Sequence, residues 1–170
     1  MYKFYLLTSV ILKSCTGIPE GVQAVDGFEA NRFLGTWYEI ARLDHRFERG
    51  LENISATYTH RADGGINVIN KGWNQEKHQW KEADGKAYFI EQPDKGRLKV
   101  SFLGPLYGGY NIIELDKKNY SYSVVTGPDK SYLWILSRTK QLPEPVLNKL
   151  ITQVKRQGFT TNELIYVKQN

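Results

Sequence analysis

Cysteine is all but missing. The chain of 170 residues has one, Cys15, so no disulfide can close within it. Long apolar runs are missing too. Phe4 to Leu12 covers about nine residues, where a bilayer-spanning helix needs ~20. Histidine is scarce, and His45, His60 and His78 lack the spacing of a metal-ligating set. No Gly-x-Ser-x-Gly elbow and no His-Glu-x-x-His helix occurs, which removes two signatures of hydrolytic chemistry. No metal or cofactor is expected. The net charge is +5, from 23 basic and 18 acidic residues. The basic residues are scattered rather than blocked, so nothing tracks a phosphate backbone and no nucleic-acid partner is expected. No repeat or low-complexity segment appears.

What is present is β-forming. The chain is 41% hydrophobic and 13% aromatic, with 11 tyrosines, enough for one sizeable core. Phe33-Leu34-Gly35-Thr36-Trp37-Tyr38-Glu39-Ile40 is the first run that reads as a strand, rich in aromatic and β-branched residues. Alternating runs follow at steps of roughly ten residues. They begin near Ile54, Ile66, Trp80, Lys86, Arg97, Tyr110, Tyr120 and Tyr132. Asp63-Gly64-Gly65, Asp84-Gly85, Gly104-Pro105, Gly108-Gly109 and Gly127-Pro128-Asp129 mark turns between them. Eight strands in even steps read as an up-and-down barrel or a sandwich.

Gly35 opens the first strand with Trp37 two residues in, and Arg138 ends the last strand of the series. An Arg138 guanidinium stacked on Trp37 would join the two and close the sheet on itself. With those two inward, period-two alternation turns Ala41, Leu43, Trp134 and Leu136 inward and Tyr38 and Ile40 outward. Glu39 falls near Trp37, in the barrel floor. Asp44 to Glu52 breaks the pattern and is longer than a tight hairpin, so it reads as a connector or a lid over a barrel mouth. Pro143-Glu144-Pro145 starts the one convincing helix. Val146, Leu147, Leu150, Ile151 and Val154 share its apolar stripe, which must lie on the outside of the sheet. Leu164 to Val167 is a last short strand.

Residues 1–14 read as a signal segment, with Lys3 ahead of a short apolar run. Residues 15–26 read as a tether and 27–170 as the folded domain. Leu12-Lys13-Ser14-Cys15 resembles the lipobox of bacterial lipoproteins, with Lys13 in place of the usual small or apolar residue. That resemblance implies cleavage before Cys15 and acylation of Cys15 as a lipid anchor; two or more chains hold where one is marginal. A plain secretory signal and a buried thiol are the alternatives. Thr16 after the Cys, rather than Asp, implies the outer membrane.

The Gly35-x-Trp37 strand, the eight meander strands, Arg138 and the single trailing helix together resemble the lipocalin family. Gly35 to Arg42, His45 to Leu51, Asn67 to Gly72, Gly85 to Phe89 and Leu98 to Phe102 are similar to its bacterial outer-membrane lipoprotein branch. So are Gly104 to Asn111 and Tyr132 to Thr139. The family's second motif is degenerate at Asp116 to Tyr120. The resemblance implies an all-β fold: an eight-stranded antiparallel barrel, one C-terminal helix packed outside it and a short ninth strand. It implies Gly35, Trp37 and Arg138 as the closure. It sets the inward phase of the other strands, and the expected cavity is Ala41, Ile54, Ala56, Tyr58, Val68, Ala87, Phe89, Val100, Phe102, Tyr110, Ile112, Ser123, Trp134 and Leu136. His60, Ile66, Asn70 and Leu98 share that phase.

The implied ligand is a fatty acid such as palmitate, or a lysophospholipid, held for transport, storage or envelope maintenance, with His45, Arg46, Arg49 and Tyr110 as headgroup candidates. The implied setting is the bacterial outer membrane, lipid-anchored and facing the periplasm, with a homodimer as one proposed state. An enzyme is not expected: the thiol nucleophile of the prostaglandin-synthase branch has no counterpart, because the one Cys lies in the leader. Two alternatives remain open: a structural envelope lipoprotein with an incidental cavity, and a carrier of another hydrophobic molecule, such as haem on His60. The sequons at Asn53 and Asn119 would be chance matches in a bacterial envelope.

Overall fold

Residues 15–170 are described in the computed structural model of the chain; the signal segment expected over 1–14 lies outside them. A single turn of helix, α1 (Ala30–Phe33), leads into β1 (Gly35–Arg42). Then follow β2 (Leu51–His60), β3 (Ile66–Asn74), β4 (Gln79–Phe89) and β5 (Arg97–Leu103). After them come β6 (Leu106–Leu115), β7 (Tyr122–Thr126), β8 (Leu133–Ser137), α2 (Glu144–Arg156) and β9 (Ile165–Tyr166). Each of β1 to β7 pairs antiparallel with the next, and β1 also pairs with β8. Closure removes the free edges. The ninth strand adds to β1 at Ala41 and Arg42. All strand pairings of the barrel lie within residues 15–170, so this part contains a complete fold.

The closure is the one expected from Trp37 and Arg138. The Arg138 guanidinium lies 4.0 Å from the centre of the Trp37 ring. It also donates to the backbone oxygens of Tyr120 at 3.2 Å, Thr36 at 3.1 Å and Arg32 at 2.7 Å. Trp37 is fully buried, and its indole N–H is satisfied by the Phe33 carbonyl at 2.8 Å. Gly35 takes a φ of +94° directly under Arg138, whose Nη1 would stand 3.2 Å from an added Cβ. Only glycine combines that backbone angle with that closeness.

Two apolar clusters result. The inner one joins Trp37, Tyr58, Ile66, Val68, Ile112 and Leu136 with Phe28 and Phe33 at the closed end. The outer one packs Leu150 and Val154 of α2 on Ile40, Ile113, Val124, Leu133 and Ile135. The helix stripe is the one that the spacing predicts.

Three details differ from the sequence expectations. First, Ala41 and Leu43 do not face the lumen but lie in the outer cluster. A β-bulge between Glu39 and Ala41 shifts the pairing with β8, and one extra residue exchanges the two faces of a strand. Second, Asp84-Gly85 is no turn, because β4 runs straight through it. Gly85 is there because the Phe102 ring would lie 2.7 Å from any Cβ. Third, β6 begins at Leu106 and contains Gly108 and Gly109. A Cβ on Gly109 would meet the Gly17 carbonyl at 2.6 Å.

That contact shows the course of residues 15–25. Gly109 N donates to the Cys15 carbonyl at 2.7 Å, and Val25 N donates to Ile112 O at 2.9 Å. Buried Asn111 donates to Gly17 O at 3.0 Å and to Gly127 O at 3.1 Å. Val22 is buried in the outer cluster. The stretch runs along the wall formed by β5 and β6.

Candidate functional site

The up-and-down order puts the β1–β2, β3–β4, β5–β6 and β7–β8 connections at one end of the barrel, opposite Phe28, Phe33 and Arg138. Toward that open end lies a cavity of about 100 Å³. Alternation supplies its walls, since inward residues of successive strands meet around the axis. Ile54, Ala56, Tyr58 and Val68 line it from β2 and β3, Val100, Phe102 and Tyr110 from β5 and β6, and Trp134 and Leu136 from β8. Val125 adds to the apolar wall, and Asn70 contributes a polar amide to the lining. A second void of about 10 Å³ lies deeper, lined by Ala87, Ile112, Ile66 and Leu98 beside Phe28 and Phe33.

Tyr58 and Tyr110 border both voids. Their hydroxyls share a hydrogen bond of 2.7 Å, and their rings meet edge to face. Burial pushes both phenols above their ordinary range, so both remain protonated and the bridge is a neutral one. It forms a partition across the tube.

Ala41, Phe89 and Ser123 lie outside both voids. Ala41 is displaced by the bulge. Phe89 meets Phe28 in a tilted ring contact at 6.2 Å at the closed end. Ser123 faces inward by its pairing with Leu136. It is fully buried, and its hydroxyl lacks a hydrogen-bond partner among the described residues. His60 is exposed at the end of β2, and Arg46 and Arg49 are exposed in the β1–β2 loop, Arg49 paired with Asp44 at 2.8 Å.

The polar feature of the cavity is a cluster of which the sequence shows two members separately, Glu39 near Trp37 and His45 as a headgroup candidate, without joining them to Arg42 and Glu48. Glu39 and Glu48 both line the cavity, backed by Arg42 and His45. The Arg42 guanidinium lies 3.3 Å from Glu39 Oε1 and donates to the Glu48 carbonyl at 3.0 Å. His45 Nε2 lies 2.9 Å from Glu48 Oε2, and the Trp134 indole donates to the same oxygen at 3.2 Å. The Arg42 and Glu39 side chains are each 4% exposed. Arg42 faces inward only because of the bulge.

Two buried carboxyls this close cannot both ionise cheaply. For Glu39, burial, followed by the Glu48 charge, raises its pKa well above the ordinary carboxylate range, against the pull of Arg42. For Glu48, burial also pushes up, but His45, Trp134 and Arg42 together outweigh it and hold the group low. The two are driven apart, Glu39 toward the protonated form and Glu48 toward the anion. Arg42 Nε and His45 Nδ1 have no hydrogen-bond partner among the described residues. The signal in the sequence was a charge or imidazole every third residue at Glu39, Arg42, His45 and Glu48.

Residues 28–169 match the family described as the lipocalin-like domain. The chain is a lipocalin. It is 55% identical to the outer membrane lipoprotein Blc of Vibrio cholerae over 98% of this chain and 97% of that one. The Blc protein of Escherichia coli K12 is 54% identical over 89% of this chain and 85% of its own. A plant relative, temperature-induced lipocalin-1 of Arabidopsis thaliana, is 34% identical over 84% of this chain and 80% of its own. Among solved structures, insecticyanin from the tobacco hornworm Manduca sexta superposes with a TM-score of 0.71 at 21% identity, covering 91% of this lipocalin and 88% of that chain. That likeness is one of fold: a closed antiparallel barrel with one helix against its outside.

Proposed function

We propose that this lipocalin is a lipid-anchored protein of the bacterial outer membrane, facing the periplasm, that binds one single-chain lipid in its barrel and stores or carries it for envelope maintenance. The lipid is a fatty acid or a lysophospholipid, and the protein acts as a binder rather than an enzyme. The anchor is acylated Cys15, freed by removal of residues 1–14. Two close relatives named as outer membrane lipoproteins support the location.

The observation that carries the ligand class is the form of the lumen: an apolar tube with its charged groups confined to Glu39, Arg42, His45 and Glu48 on one side. Burying ten methylenes stabilises by ~8 kcal/mol. Association costs about 4–15 kcal/mol, so a long chain is needed. The open void of about 100 Å³ is smaller than the roughly 300–1,000 Å³ of ordinary ligand sites. A full acyl chain therefore enters by displacing Tyr110 from Tyr58 and joining the two voids. Haem finds no such support, since His60 is exposed and lines neither void.

Native mass spectrometry with lipid extraction on protein purified from cells without strong detergent tests this reading. A stoichiometric fatty acid or lysophospholipid, lost in Tyr110→Glu, is the expected result. A protein that is empty and takes up no added lysophospholipid refutes it and leaves the structural-lipoprotein reading.

A further inference from the structure

The open end of the barrel is apolar on its outside as well. Eight large apolar side chains are exposed among the described residues, and five of them stand at this end. Leu103 and Leu106 are 76% and 75% exposed and flank the Gly104-Pro105 tip of the β5–β6 hairpin, which carries no charge. Phe47, 56% exposed, projects from the β1–β2 loop, and Trp80, 50% exposed, from the start of β4. Phe102 completes the group at the cavity wall. Such a concentration is unusual on a free surface. Arg46, Lys77 and Lys81 are exposed around it, and the Lys81 ammonium donates to the Phe47 carbonyl at 3.4 Å. Cations at this height reach lipid phosphates, while the leucines and aromatic rings meet acyl chains.

The start of the described chain points the same way. The Cys15 carbonyl is held by Gly109 N at 2.7 Å. Gly109 stands three residues along β6 from Leu106, about 10 Å in extended chain. Residues 15–25 follow the barrel wall, so position 15 is held beside the mouth.

We propose that the rim of the open end, led by Leu103, Leu106, Phe47 and Trp80, is a membrane-docking surface that seats the barrel mouth-down on a phospholipid bilayer. The cavity then opens onto the bilayer, and a single-chain lipid passes between them without crossing water. The proposal rests on the anchored-carrier reading for the role of Cys15 alone. The docking is tested without any acyl chain.

The test uses residues 15–170, which contain the whole barrel, with Cys15→Ser to remove the acylation site. Co-sedimentation is measured with vesicles of phosphatidylethanolamine and phosphatidylglycerol. Uptake of a fluorescent fatty acid is measured separately, without vesicles. The expected result is vesicle binding that weakens at least about tenfold in Leu103→Asp/Leu106→Asp, with fatty-acid uptake unchanged. Ile69→Asp, on the wall of β3, leaves vesicle binding unchanged. Binding that is absent, or equal in the double variant, overturns the docking surface. Self-association abolished by the same double variant, with no vesicle binding, also overturns it and makes the rim a homodimer contact. Vesicle binding with no fatty-acid uptake by any form leaves the docking standing and sinks the carrier reading.

Discussion

Arg138→Met is the sharpest perturbation of the barrel closure. Methionine keeps most of the aliphatic stem and removes the guanidinium. Three hydrogen bonds to the backbone of Tyr120, Thr36 and Arg32 disappear, together with the stack on Trp37. Arg138 is half-buried, so the freed carbonyls regain water, and each bond is set at the neutral net value of ~1 kcal/mol. The cation–π contact adds ~0.5–1 kcal/mol. The sum is a loss of about 3–4 kcal/mol, a large share of a stability of ~5–15 kcal/mol. For a domain of this size each kcal/mol lowers Tm by about 2–4 °C. Urea unfolding followed by Trp fluorescence should show a lower midpoint with an unchanged slope. A double-mutant cycle with Trp37→Leu, which removes the aromatic face, isolates the stack, with an expected coupling of ~0.5–1 kcal/mol. A loss below about 1 kcal/mol would refute the reasoning, because the barrel would then be held by strand pairing and α2 without this clamp.

Glu39→Gln tests the proton on the cavity wall. Its folded pKa is raised above the ordinary 4.5, so its contribution is full below the unfolded value and lost as pH rises through the folded one. Urea midpoints of the native chain should fall as pH rises above the ordinary carboxylate range, while those of Glu39→Gln stay flatter; a variant much less stable than the native chain at neutral pH would refute the raised pKa. Tyr58→Phe leaves the buried Tyr110 hydroxyl unpaired and should cost ~1–3 kcal/mol, whereas Tyr58→Phe/Tyr110→Phe should recover part of it and speed fatty-acid uptake. Uptake no faster in the double variant would remove the partition from the entry route. Asn111→Ala frees Gly17 O and Gly127 O. Limited proteolysis should then cut faster within residues 16–24; an unchanged rate would mean that the backbone pairing of Gly109 and Val25 holds this stretch alone.

What local chemistry can dictate was legible in the chain. Period-two alternation and turn residues define a strand whether or not its partner is known, and so the meander was visible. The helix stripe of Leu150 and Val154 is likewise a local pattern. Trp37 and Arg138 could be paired because a closed sheet must bring its first and last strands together. Most of the cavity followed from alternation once those two were set inward, together with the family phase for the middle strands.

Tertiary structure decided the rest. The bulge after Glu39 is a matter of how β1 meets β8, and nothing in Glu39-Ile40-Ala41 announces the extra residue. It sends Ala41 to the helix and Arg42 into the lumen, and so creates the charge cluster. Gly85 and Gly109 look like turns because glycine is permissive. Each is instead a strand position crossed closely by a distant group, the Phe102 ring and the Gly17 carbonyl. A missing side chain reads the same in one dimension whether the backbone bends or something lies against it. The raised pKa of Glu39 is set by burial and by the Glu48 charge, and the lowered one of Glu48 by His45, Trp134 and Arg42 against burial; both arrangements belong to the folded chain alone.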